Sequence, residues 1–227
     1  MDKLAQQTHA AWARTRRWGL VATFAASLAT AGSLARAEAV SNGGFELPGF
    51  SITSGSDNYR YLLNGDSSTL AGWTVTDDGI GEAPYVFHSS RYAVQAGEYA
   101  LALNQGSGVA TTVSLVAGQG YQLSAWLEGN VAGLNYAPAP LDVSVGGVQT
   151  TWSVPYDGAP YRLVTFSFTA STTDPAAVLS LFNPSSVGDF KGYGVDSVSI
   201  TAVPEPGSWA LLLAGIAALG FVAKRRA

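Results

Sequence analysis

Tyr121-Gln122-Leu123-Ser124-Ala125-Trp126-Leu127-Glu128 is the stretch whose pattern decides the fold class. Tyr121, Leu123, Ala125 and Leu127 alternate with Gln122, Ser124, Trp126 and Glu128, and a period of two puts one set on each face of an extended strand. Moving outward, Leu101 and Leu103 alternate with Ala100 and Ala102, while Val164, Phe166 and Phe168 alternate with Thr165, Ser167 and Thr169. Further short strands are predicted at 72–76, 109–115, 141–145, 148–154, 177–182 and 194–201. Turn residues separate them at Asn104-Gln105-Gly106, Ala117-Gly118-Gln119-Gly120, Gly146-Gly147 and Tyr156-Asp157-Gly158. No helical periodicity of useful length occurs between Ala39 and Ala202. Many evenly spaced strands without helices predict an all-β, two-sheet β-sandwich.

Composition narrows the chemistry. With both ends set aside, the 227 residues suit one domain rather than two. Charged residues are only 12% of the chain, and the absence of cysteine excludes a disulfide framework, thiolate catalysis and a zinc site built on sulfur. Lys3, Arg14, Arg16, Arg17 and Arg36 lie near the start, and Lys224, Arg225 and Arg226 at the end. Arg60, Arg91, Arg162 and Lys191 face fourteen acidic residues in between, about −10 net. Nucleic acid is therefore not an expected partner, because phosphate binding needs a basic face.

The two ends read as addresses. Arg14 to Arg17 are basic, Leu20 to Leu34 apolar and small, and Ala35-Arg36-Ala37 is a small-x-small cleavage site before Glu38. This is the pattern of a secretory signal peptide over 1–37, with a retained membrane anchor as the alternative. Thr15-Arg16-Arg17-Trp18 faintly resembles a twin-arginine signal. At the other end, Val203-Pro204-Glu205-Pro206-Gly207 breaks the last strand, Ser208 to Ala223 is apolar, and Lys224-Arg225-Arg226 is a basic stop. A transmembrane helix is expected there, its basic end cytoplasmic and the folded domain outside.

Pro204, Glu205 and Pro206, followed by an apolar helix and an Arg-rich terminus, resemble the PEP-CTERM sorting signal of Gram-negative bacteria. The resemblance implies recognition by an exosortase, residence in the inner membrane before processing, and then release or attachment at the cell surface or in an exopolysaccharide biofilm matrix. A plain C-terminal anchor is the alternative and predicts the same topology. The chain thus divides into a signal peptide (1–37), a sandwich domain (38–202) and a sorting segment (203–227).

Within the middle, Val40-Ser41-Asn42-Gly43-Gly44-Phe45-Glu46, Gly72-Trp73, Gly97-Glu98-Tyr99-Ala100-Leu101, Gly120-Tyr121-Gln122-Leu123-Ser124 and Gly194-Val195-Asp196-Ser197-Val198-Ser199-Ile200 occur in that order. Together they resemble the galactose-binding-like jelly roll of many carbohydrate-binding modules. The resemblance implies a structural calcium ion held by Glu46 and Asp196 with backbone carbonyls, Glu98 being a weaker third candidate. It also implies polysaccharide as partner. Loop aromatics with flat faces for a pyranose are Tyr59, Tyr61, Tyr85, Tyr136, Trp152 and Tyr156, whereas Trp73 reads as core.

Catalysis is not expected. His88 is the one histidine outside the leader, and Val86-Phe87-His88-Ser89-Ser90 lacks the glycines of a nucleophile elbow. Asp77-Asp78-Gly79 reads as a turn rather than a hydrolytic carboxylate pair with Glu82. The rival readings are a structural matrix component without a defined ligand and a polysaccharide-cleaving enzyme.

Overall fold

The computed structural model describes residues 40–46, 58–79, 81–129, 140–155, 160–184, 192–203 and 206–225. The expected signal peptide and the loops holding Tyr136 and Tyr156 lie outside the described residues. The larger of two compact units, Ala37–Val203, contains β1 (Tyr59–Tyr61), β2 (Thr74–Asp77), β3 (Tyr85–His88), β4 (Tyr99–Leu103), β5 (Ser107–Leu115), β6 (Gly120–Glu128), β7 (Leu141–Val145), β8 (Val148–Trp152), β9 (Arg162–Thr169), β10 (Asp174–Asn183) and β11 (Tyr193–Val203).

The strands pair antiparallel in two sheets, ordered β1-β3-β4-β11-β6-β9 and β2-β5-β10-β7-β8. From β4 onward the chain winds as a jelly roll, with β4-β11-β6-β9 in one sheet opposite β5-β10-β7-β8 in the other. Gly146 and Gly147, at φ 55° and 81°, form the two-residue connection that pairs Val145 with Val148. Two successive left-handed residues give a hairpin the twist of its strands.

The alternation read in β6 is the alternation found. Tyr121, Leu123, Ala125 and Leu127 are buried between the sheets, together with Leu101 and Leu103 of β4, Val143 of β7, and Leu179 and Leu181 of β10. Phe45 and Trp73 fill one part of this core with rings 5.4 Å apart, and the Trp73 Nε1–H donates to the Asn42 carbonyl at 3.1 Å. The buried Asn183 amide of β10 donates to the Leu103 carbonyl of β4 at 3.0 Å, a polar tie between the two sheets.

The other unit contributes helix α1 (Pro206–Lys224), 19 residues with Lys224 in its last turn. The sequence predicts a transmembrane helix here. A helix forms, but among the described residues no helix is long and apolar enough to cross a membrane. The apolar run of α1, 209–223, is fifteen residues, shorter than the roughly 20 that span the hydrocarbon layer.

Candidate functional site

The outer face of the five-stranded sheet is built from positions that point away from the core. Register places Thr76, Gly108, Phe182, Asp142 and Thr151 in one row across β2, β5, β10, β7 and β8, and Thr74, Ala110, Ser180, Ser144 and Gln149 in the next. A groove of about 570 Å³ runs over the β10, β7 and β8 end of these rows, lined by Asp142, Ser144, Gln149, Thr151, Ser180 and Phe182 among others. Gly108 makes room for its aromatic side: a Cβ there would come within 2.8 Å of Phe182 Cδ2 and of Thr76 Oγ1. The groove therefore offers one ring, one carboxylate, one amide and several hydroxyls, with no basic side chain in its lining. None of these residues stands out in the sequence. The signal was the run of Ser, Thr, Gln and Asp at the outward positions of three strands, interrupted by Phe182.

The outer face of the six-stranded sheet carries a separate aromatic cluster. Tyr59 and Tyr61 of β1 lie opposite Phe87 and Tyr85 of β3, and the rings of Tyr59, Tyr61 and Tyr85 stand edge-on to one another at 5.5–5.6 Å. Arg91 stacks over Tyr59 at 3.9 Å and Tyr92 at 4.9 Å, and its Nη1 donates to Asn58 Oδ1 at 3.2 Å. Tyr85 is buried, whereas Tyr61 is 49% exposed. Burial first, then the neighbouring Glu82 carboxylate, raises the Tyr61 phenol, and burial raises Tyr85 as well.

Of the aromatics read as loop residues, the structure brings together Tyr59, Tyr61 and Tyr85, and on strands rather than loops. Trp152 is a correction. It sits opposite Leu141 at the end of β8 with 5% exposure, inside the inter-sheet core, because it occupies an inward position of its strand. It cannot serve as a surface platform. Tyr136 and Tyr156 lie outside the described residues.

Glu46 and Asp196 grip the same loop. The Glu46 carboxylate accepts the N–H groups of Glu98 at 3.0 Å and Tyr99 at 3.1 Å. Asp196 is fully buried; its Oδ2 accepts the N–H groups of Gln95 at 3.0 Å and Ala96 at 3.1 Å, and its Oδ1 accepts the Ser197 hydroxyl at 3.2 Å. Burial raises the Asp196 carboxyl, opposed by those N–H donors. Gly97, at φ 68°, packs its α-carbon against the Glu46 carboxylate where no side chain fits. Asn42, Phe45 and Ser197 are also left-handed, at 50°, 58° and 51°, and the Val198 N–H donates to the Gly43 carbonyl at 2.8 Å. Such strain persists only where surroundings over-determine it.

Both groups are carboxylates, the ligand type a hard cation takes, and in this structure their oxygens are met by N–H and hydroxyl donors. Among the described residues, no three or more His, Cys, Asp or Glu side chains gather as a metal-binding group. Glu98 contributes its backbone N–H to Glu46.

His88 ends β3, and its Nδ1 is engaged by the Ser90 hydroxyl at 2.9 Å and backbone N–H at 3.0 Å. Asp77 accepts the Gly79 N–H at 2.7 Å, the turn expected of Asp77-Asp78-Gly79.

Pro204 and Glu205 lie outside the described residues, and Pro206 opens α1. Residues 202–226 match the family described as PEP-CTERM protein-sorting motif. The chain carries a PEP-CTERM motif. No curated protein matches it.

Among solved structures, the sandwich is similar to part of an arabinose-bound GH51 α-L-arabinofuranosidase, at 11% identity and TM-score 0.51, covering 74% of this chain and 27% of that one. This chain therefore spans about a quarter of that enzyme. It is also similar to a CBM4 carbohydrate-binding module (18% identity, TM-score 0.41, covering 58% of this chain and 95% of that one). A third likeness is to the CBM22-1 xylan-binding domain from Paenibacillus barcinonensis Xyn10C (16% identity, TM-score 0.41, 65% and 94%).

Proposed function

We propose that this is an exported surface or matrix protein, processed through its PEP-CTERM segment by an exosortase, whose sandwich binds neutral polysaccharide in the groove over β10, β7 and β8. The observation that carries the binding role is the composition of that groove. The Phe182 ring can cover the apolar face of a pyranose, while Asp142, Gln149, Ser144, Thr151 and Ser180 supply donors and acceptors for its hydroxyl groups. Asp142 is the one acidic side chain in the lining and no basic one accompanies it, so an acidic sugar chain is disfavoured.

Export is supported by the sorting motif at 202–226, and the signal peptide over 1–37 is the matching proposal for the other end. Before processing, the C-terminal sorting segment anchors the chain transiently, with Lys224-Arg225-Arg226 on the cytoplasmic side. A structural calcium ion at Glu46 and Asp196 is part of the same reading.

The groove is tested by titrating the purified full-length protein, in a detergent without a sugar headgroup, with xylan, β-1,4-galactan and the polyanion alginate. A neutral chain should bind and alginate should not. Phe182→Ala should weaken binding at the groove at least about tenfold, or 1.4 kcal/mol, with the melting transition retained. Full binding by Phe182→Ala, or none by the native protein to any neutral chain, rejects the groove.

A further inference from the structure

We propose that the domain has a second polysaccharide-binding surface, a tyrosine platform of Tyr59 and Tyr61 backed by the buried Tyr85, and that it bridges two polysaccharide chains. The proposal rests on the groove reading for its other half. The two surfaces lie on opposite broad faces. Phe182, Asp142 and Gln149 point outward from the five-stranded sheet, while Tyr85 and Phe87 belong to a cluster separate from the inter-sheet core, on the outside of the six-stranded sheet. Stacked sheets are about 10 Å apart before side chains are added, so one extended glycan held in the groove leaves the platform free.

The platform is fixed before any ligand arrives. Tyr61 stands edge-on to both Tyr59 and Tyr85, and Tyr59 is clamped under Arg91, which Asn58 holds in turn. Binding to rings already immobilised costs little further side-chain entropy. The phenol of Tyr61, on an exposed side chain, can both donate and accept.

Beside the platform lie buried polar atoms without a hydrogen-bond partner: Tyr161 Oη, Glu128 Oε2 and Arg91 Nε. Tyr161 belongs to the same cluster and is 8% exposed, and the Glu128 carboxylate adds to the rise of its phenol after burial itself. Rings rimmed by phenol hydroxyls, a guanidinium and an amide match the alternating CH faces and hydroxyls of a sugar chain better than the apolar face of a protein partner.

The experiment compares the native full-length protein with Tyr61→Ala, Phe182→Ala and the double variant, using xylohexaose and a β-1,4-linked galactohexaose for stoichiometry. Beads coated with xylan or galactan report bridging. The native protein should bind two oligosaccharides and clump beads. Each single variant should bind one and leave beads dispersed, and the double variant should bind none. Melting curves check that each variant folds.

If Phe182→Ala abolishes all binding while Tyr61→Ala keeps full stoichiometry, the platform is rejected and the groove stands. If Tyr61→Ala clumps beads as well as the native protein, bridging through the platform is rejected. Clumping by a native protein that light scattering shows to be a dimer, with one oligosaccharide per chain, assigns bridging to self-association and overturns the proposal. Loss of all binding in Tyr61→Ala with none lost in Phe182→Ala removes the groove and with it the bridge.

Discussion

Glycine positions separate two costs that usually arrive together. Gly97 and Gly118 share a left-handed backbone, at φ 68° and 80°, but a Cβ on Gly97 would run into the Glu46 carboxylate, while one on Gly118 would meet nothing within 4 Å. Gly118→Ala should therefore cost about 1 kcal/mol, the price of the backbone conformation alone. Gly97→Ala should cost clearly more, about 2 kcal/mol or above, because it also displaces the carboxylate that holds the Glu98 and Tyr99 N–H groups. Urea unfolding of the two variants measures the difference; equal losses would mean that the close approach contributes nothing. At this scale the sequence was informative where the residue type is demanding. The core roles of Phe45 and Trp73 could be read from the chain. The platform role assigned to Trp152 could not survive, since it lies in phase with Val148 on the face of β8 that packs into the core.

Elements were legible in proportion to their one-sidedness. The prediction for 141–145 coincides with β7, and β6 differs by its first residue, because each has one buried and one wetter face. β3 gave no alternation to read: Val86 packs in the inter-sheet core while Tyr85 and Phe87 pack in the outer cluster, so both faces are apolar. β1 has only three residues, too few for a period to declare itself. The groove was hidden for a related reason, since its lining comes from β7, β8 and β10, and only their register places Asp142 beside Phe182 and Thr151. The sorting segment is the reverse case, local in sequence and readable without any fold. Replacing Pro204, Glu205 and Pro206 with alanine should leave the sandwich folded, since these residues follow the last strand. In a host with an exosortase, the variant should persist in the membrane at full length while the native protein is shortened and reaches the surface or medium. Blots of membrane, surface and medium fractions decide between this and a plain anchor, for which both proteins would fractionate alike at full length.

For the molecule as a whole, the carboxylate pair matters because of what it joins. Glu46 follows the opening turn, Asp196 lies in the last strand, and both hold the loop from Gln95 to Tyr99. A calcium ion bound there only in the native state would raise the thermal midpoint of the entire sandwich by mass action. Added calcium should raise the midpoint, chelation should lower it, and Asp196→Asn should respond to neither. A native melting curve indifferent to chelator refutes the ion. The last strand has a further consequence. β11 lies between β4 and β6, and its final residue Val203 still pairs with Gly120 while accepting the Gln119 side-chain amide at 2.7 Å. Tension on anything joined beyond Val203 enters the sandwich along the axis of this interior strand. The β6 ladder, which runs from Val203 back to Gly194, is then loaded in shear, sharing the force among many hydrogen bonds instead of unzipping them singly, and the short β4 ladder at Tyr193–Val195 anchors the far end. The tether point is a seam stitched along its length.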